Sequence, residues 1–113
     1  MDRPRFVILH HVQAQGEHWD LMLQTGAVLA TWRLAALPDA NTGRAVPAEA
    51  IGDHRLDYLT YEGPLSRDRG SVRRIDEGRY ALLEQVGTHW TIDFQGRILR
   101  GTWRLNEREL RRI

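Results

Sequence analysis

The stretch GEHWDLMLQTG, residues 16–26, places a histidine two positions before an aspartate inside an apolar run. Side chains of an extended strand alternate between faces. His18, Asp20 and Met22 therefore share one face, and Trp19, Leu21 and Leu23 the other. The aromatic and aliphatic face reads as core. The first face carries an imidazole and a carboxylate side by side, which is how a strand presents two metal ligands. Upstream, RFVILHH (residues 5–11) is a second strand pattern that ends in the pair His10-His11. If the two strands pair, a histidine of the first joins His18 and Asp20 of the second. Two imidazoles and one carboxylate suit manganese, iron or zinc and leave coordination positions open for water and substrate. An open site of that kind polarises a phosphoryl oxygen or lowers the pKa of a bound water.

A second group lies in DHRLDYLTYEG, residues 53–63. His54 and Tyr58 are hydrogen-bond donors of the sort that hold a phosphate. Taken alone they read better as an exposed loop histidine and, with Tyr61, strand aromatics.

The elements that must position these groups are mostly strands. Strand patterns cover RFVILHH, HWDLMLQ and AVLATWRL, with Thr25-Gly26 as a hairpin turn between the last two. Residues 35–53 read as one long loop with two prolines and two glycines, of a length that is often functional or mobile. A helical turn over residues 47–51 is expected there, because proline is tolerated at a first helical turn. Residues 54–63 have an ambiguous start and a strand-like end. GSVRRID and GRYALLEQV suggest a hairpin turning near Glu77-Gly78, and HWTIDF and RILRGTWRL a tight one at Gln95-Gly96. The tail NERELRRI reads as a short helix or a last strand. Seven or eight short strands with glycine turns predict an all-β, mainly antiparallel fold: a small barrel with a long loop and at most short helical segments.

Composition bounds the function. The chain of 113 residues fits a single domain, 1–113. It has no cysteine, which removes disulfide frameworks and thiolate metal sites. No apolar run approaches the ~20 residues of a membrane span, and the start MDRPRF lacks the apolar stretch of a secretion signal, so the expected compartment is the cytoplasm. Net charge is +1, and all sixteen basic residues are arginine. They are unevenly spread: residues 1–66 hold five arginines against eight acids, and residues 67–113 eleven against seven. The excess in the second part is compatible with phosphate contact through guanidinium forks.

In order and wording these stretches resemble the 3′-phosphoesterase domain of bacterial DNA ligase D, a multifunctional end-joining ligase. The resemblance is carried by FVILHH (6–11), HWDLMLQ (18–24), GAVLATW (26–32), DHRLDYLTYEG (53–63) and LRGTWRL (99–105), so it spans residues 5–105. The D-H-x-L-D-Y-x-x-x-E-G pattern is its most specific part. The resemblance implies that His11, His18 and Asp20 hold a divalent metal, manganese first, with zinc and cobalt as alternatives. It implies His54 and Tyr58 as the catalytic, phosphate-contacting pair. The family's arginine, two places after the aspartate, falls here on Met22. The gap between His11 and His18 is one residue longer than usual, so His10 is the alternative ligand, or a bulge absorbs the extra residue. The family's glycine-rich stretch after E-G is replaced by PLSRDRG, which brings Arg67 and Arg69 to the rim. Arg55, Arg67 and Arg69, with Arg100 and Arg104 on the last long strand, are the candidate phosphate and nucleic-acid contacts. The implied activity is metal-dependent removal of a 3′-phosphate or 3′-ribonucleotide from nucleic-acid ends, by a monomer that does not bind membranes and works beside a DNA ligase or other end-joining partner. The alternative is a catalytically weak or inactive module that binds nucleic-acid ends for a separate ligase.

Overall fold

A computed structural model describes residues 2–113. Nine strands and one 3₁₀ turn follow each other: β1 (Arg5–Gln13), β2 (Gly16–Thr25), β3 (Val28–Leu34), β4 (Val46–Arg55), the 3₁₀ turn Leu56–Leu59, β5 (Gly63–Pro64), β6 (Ser71–Val86), β7 (His89–Gly96), β8 (Arg100–Leu105) and β9 (Glu109–Arg112). All pairings are antiparallel, in the order β1-β2-β3-β4-β9-β8-β7-β6-β5. A further pairing of β1 with β6 closes the sheet into a ring. The all-β expectation holds. Among the described residues, no helix is long and apolar enough to cross a membrane.

Strand alternation sends one set of side chains into the ring. Phe6 and Ile8 of β1, Leu21 and Leu23 of β2, Trp32 and Leu34 of β3, Ile92 and Phe94 of β7, and Trp103 and Leu105 of β8 form one buried cluster. The other face of β1 and β2 is buried as well. Val7, Leu9, Met22, Leu29 and Val72 form a second cluster there, beneath Leu59 of the 3₁₀ turn. The segment around that turn is tied down by Arg74, whose guanidinium donates to the Leu59 carbonyl (3.1 Å) and whose backbone N–H donates to Glu62 (2.9 Å). The ring interior is therefore filled, and the segment laid across the outer face of β1 and β2 borders a cleft there.

Several local expectations are overturned. Residues 47–51 are not a helical turn but part of β4, and the loop before it shrinks to residues 35–45. The period there is two: Val46 and Ala48 are buried, Pro47 and Glu49 exposed. Pro47 has no N–H to offer, and its carbonyl still accepts from Ala35 at 3.0 Å. The strand-like end foreseen for residues 54–63 is mostly the 3₁₀ turn, followed by the two residues of β5. Glu77-Gly78 is no hairpin turn; β6 runs straight through it for 16 residues. Gly78 pairs with Phe6 on one side and Gly96 on the other. A Cβ at Gly78 would lie 2.1 Å from the Gln95 carbonyl oxygen, so this glycine marks a close backbone approach rather than a reversal. The hairpin of β7 and β8 is present, with its turn shifted to residues 96–99 (Gly96 N–H to Leu99 carbonyl, 2.9 Å). The tail is a strand, β9, which makes nine strands where seven or eight were expected.

One buried carboxylate secures that turn. Asp76 is 1% exposed and accepts hydrogen bonds from the backbone N–H groups of Glu77, Arg97, Ile98 and Leu99, at 2.8–3.2 Å. Hydrogen bonds to a charged acceptor are the strong ones. Asp76→Ala should orphan those donors and cost about 3–5 kcal/mol, read as a lower urea midpoint without a change in slope.

Candidate metal and phosphate cleft

The register of β1 on β2 builds a candidate metal-ligand group. His11 lies directly opposite His18, and Leu9 opposite Asp20. Directly opposed residues of an antiparallel pair point to the same side, so three potential ligands converge on the outer face. His11 Nδ1 is 3.0 Å from His18 Nε2 and 3.9 Å from Asp20 Oδ2, and His18 Nε2 is 3.2 Å from Asp20 Oδ1. One donor atom from each of the three lies within 4.8 Å of the others. The extra residue between the histidines is taken up in the β1–β2 turn rather than by a bulge, since the pairing runs unshifted from Phe6–Leu23 to Gln13–Gly16.

The alternative ligand His10 faces away. Its ring stacks on Trp19 (centroids 5.0 Å apart), and its Nε2 is 3.1 Å from Glu17. His11, by contrast, is oriented for ligation. Its Nε2 is 2.6 Å from the Arg69 carbonyl oxygen, which only accepts, so Nε2 carries the proton and Nδ1 keeps its lone pair toward His18 and Asp20. The Arg69 carbonyl reaches His11 because Gly70 adopts φ +86 against β1, where a Cβ would lie 1.9 Å from the Val12 carbonyl oxygen.

Electrostatics favour a cation here. Asp20 is 5% exposed and, among the described residues, its Oδ1 has no hydrogen-bond partner despite the nearby imidazole. A buried carboxylate oxygen without a donor is costly, and a divalent cation would relieve it. Burial, first, pushes the His18 imidazole below its ordinary pKa; the Asp20 charge opposes this, and the positive charges of Arg33 and His11 add to it. The neutral imidazole is the form that ligates metal.

A cleft of about 250 Å³ opens beside this group, lined by His11, Asp20, Met22, Arg33, His54, Tyr58 and Arg69 among others. Five strands (β1, β2, β3, β4 and β6), the 3₁₀ turn and the loop before β6 contribute. His54 donates from Nδ1 to the Gly52 carbonyl (2.9 Å), which leaves Nε2 as the nitrogen not engaged by backbone. Its ring meets Tyr58 edge to face at 5.7 Å. The two sequence clusters, more than thirty positions apart, thus share one hollow.

The arginines divide. Arg69 lines the cleft and donates to the Ser66 carbonyl and hydroxyl. Arg55 lines an adjoining groove with Tyr58, Tyr61 and Arg69. Arg67 is exposed at φ 60, in the loop before β6, and lines neither hollow. Arg100 and Arg104 are exposed on β8, four strands from β2 in either direction round the ring, and so lie on the opposite side from the cleft. Met22 is 1% exposed within the outer apolar cluster and forms part of the cleft floor. Sequence reading missed Arg33. The two-residue turn Gly26-Ala27 sets Thr25 opposite Val28 and hence Asp20 opposite Arg33, so counting along the hairpin would have found it.

Comparison with known proteins agrees with this geometry. The family model described as the DNA Ligase D 3′-phosphoesterase domain matches residues 9–107. The multifunctional non-homologous end joining protein LigD of Pseudomonas aeruginosa is 26% identical over 118 aligned positions, covering 95% of this chain. The chain spans only 14% of that relative's length.

Two outcomes follow from the ligand group. Calorimetric titration with manganese should give one site, and Asp20→Ala should abolish it while changing metal-free stability by no more than about 1 kcal/mol, because the lost carboxylate was buried and incompletely paired. The lowered His18 pKa sets a pH dependence. The unfolded chain binds protons at this histidine more readily than the folded one, so the stability of the metal-free protein should be full above about 6.5 and fall as the pH drops through that value. Thermal melts across that range should show the decline, and His18→Asn should flatten it.

Proposed function

This chain belongs to the DNA ligase D 3′-phosphoesterase domain family, and on that premise we propose that it is a divalent-metal-dependent phosphoesterase that trims 3′-phosphate or 3′-ribonucleotide ends of nucleic acid before end joining. The observation that carries the reading is the single cleft that brings His11 and Asp20 together with His54 and Tyr58. His11, His18 and Asp20 would hold the metal, with manganese as the first candidate and zinc and cobalt next. Such an ion, when bound, supplies Lewis-acid polarisation of a phosphoryl oxygen and a more acidic water.

The chain's own residues would do the rest. The Tyr58 hydroxyl donates to a non-bridging phosphate oxygen, and the Arg69 guanidinium, at the rim, attracts the dianion. Water attacks phosphorus, the bond from phosphorus to the 3′ oxygen breaks, and His54 in its imidazolium form passes a proton to that oxygen. The products are a 3′-hydroxyl end, which a ligase can use, and inorganic phosphate. The activity of the curated relative is of a far longer chain, and a ligase supplied separately is the partner this reading implies. A monomer acting in the cytoplasm fits the same role.

The second reading, a module that grips ends without turnover, gains from Met22, an apolar residue in the cleft floor beside the ligands. A primer–template carrying a 3′-phosphate separates the two. Incubated with the protein and manganese, it should lose its phosphate on a denaturing gel, and a chelator should stop the reaction. His54→Ala should lower turnover by about 10²–10⁴-fold. If neither 3′-phosphate nor 3′-ribonucleotide ends are cleaved with manganese, zinc or cobalt, the enzyme reading fails and the binding module stands.

A further inference from the structure

Two guanidinium groups line the cleft, Arg33 and Arg69, and they differ in what already holds them. Arg69 sits on the loop before β6 and is bound to Ser66 through Nε and a terminal nitrogen. Arg33 sits within β3, paired with β2 on one side and β4 on the other. Its in-register neighbours are both acids, Asp20 on β2 and Glu49 on β4. Opposite charges at such positions ordinarily pair. Arg33 nevertheless forms none of the ion pairs among the described residues. It is exposed, at the cleft wall, and close enough to the ligand group to act on the His18 charge.

We propose that Arg33 is the residue that recognises the terminal phosphate, gripping its non-bridging oxygens through the guanidinium fork from the β3 side of the cleft. This assignment deepens the phosphoesterase reading and rests on it. The chemistry has three parts. A phosphate monoester is a dianion, and a cleft that offers it Asp20 needs compensating positive charge. The planar fork matches two phosphate oxygens at once, which a point charge does not. A strand held on both sides fixes the Cα of that fork more firmly than a loop can. The floor beneath offers Met22 and Leu9, which bring no competing hydrogen bonds. Arg33 would thus select a dianionic terminus over a hydroxyl terminus, with Tyr58 donating to a further non-bridging oxygen and His54 serving the reacting bond.

The test measures end selectivity in binding, apart from turnover. The probe is a fluorescent single-stranded oligonucleotide with a 3′-methylenephosphonate end, in which a methylene replaces the bridging oxygen so that hydrolysis cannot occur. Its 3′-hydroxyl counterpart is the reference. Anisotropy titrations with manganese present give the ratio of the two affinities. The wild-type ratio should favour the phosphonate, and Arg33→Gln should reduce that preference about ten- to a hundred-fold, the usual scale for losing a charge-assisted pair. Arg33→Lys should restore part of it, since charge returns without the fork. Arg44→Gln, on the loop between β3 and β4, should leave the ratio unchanged. Arg33 is exposed, so the glutamine variant should melt within a few degrees of wild type, which separates a binding defect from misfolding. A wild-type preference that persists in Arg33→Gln overturns the assignment and leaves the phosphoesterase reading intact. A wild-type protein that binds both ends equally also overturns the assignment, and the phosphoesterase reading then rests on cleavage of the 3′-phosphate end.

Discussion

The register of β1 against β2 is the constraint on which the rest of this molecule depends. Both faces of that strand pair are buried: Phe6, Ile8, Leu21 and Leu23 fill the ring, and Val7, Leu9 and Met22 join the outer apolar cluster, of which Leu9 and Met22 floor the cleft. A slip of one residue would exchange the faces of one strand relative to the other. It would drive His18 and Asp20 into the apolar interior and bring Leu21 out. The hydrophobic cost of such a slip is the sum of several buried side chains, each worth about 1.5–3 kcal/mol. The same pattern that makes the core therefore sets His11 opposite His18, and the ligand geometry needs no separate support.

The outer cleft is assembled in order of rigidity. His11, His18 and Asp20 stand on paired strands. His54 stands at the end of β4, where the register shifts between Leu29 and Thr31, and Tyr58 on the 3₁₀ turn that follows. The loop before β6 closes the rim, held by Gly70 against β1 and by the contact of the Arg69 carbonyl with His11. That last contact links rim and ligand: the carbonyl that positions the loop also sets the tautomer of His11. The Asp20 oxygen without a donor is the opposite kind of feature. It weakens the fold slightly where a cation would be held, a trade common at functional sites.

In the resemblance drawn from the sequence, His11, His18, Asp20, His54 and Tyr58 have counterparts in the family pattern, and the charge around them differs. The position two after Asp20 is a buried methionine, and positive charge enters the cleft instead from β3 and from the loop before β6. A strand sheet allows such an exchange because outward-facing positions on neighbouring strands lie only ~5 Å apart. A side chain as long as arginine spans that distance, so its point of attachment can move one strand without leaving the cleft.

The amino-acid sequence by itself determined the all-β class, the two strands that carry His11, His18 and Asp20, the face that His18 and Asp20 share, and the family. Each of these follows from local alternation or from short motifs, and both are properties of neighbours in the chain. It left open whether His10 or His11 joins His18, and tertiary structure decided that, because the choice depends on the β1–β2 turn and on a carbonyl fifty-eight positions away. It misplaced Glu77-Gly78 as a turn and residues 47–51 as helical, since a glycine that permits close approach and a proline in a strand look like breakers until their partners are known. It put Arg100 and Arg104 among the nucleic-acid contacts although the closed ring carries them to the far side, and it passed over Arg33. Which outward-facing arginines meet at one cleft is fixed by strand order around the ring, and strand order is set by packing between residues far apart in the chain.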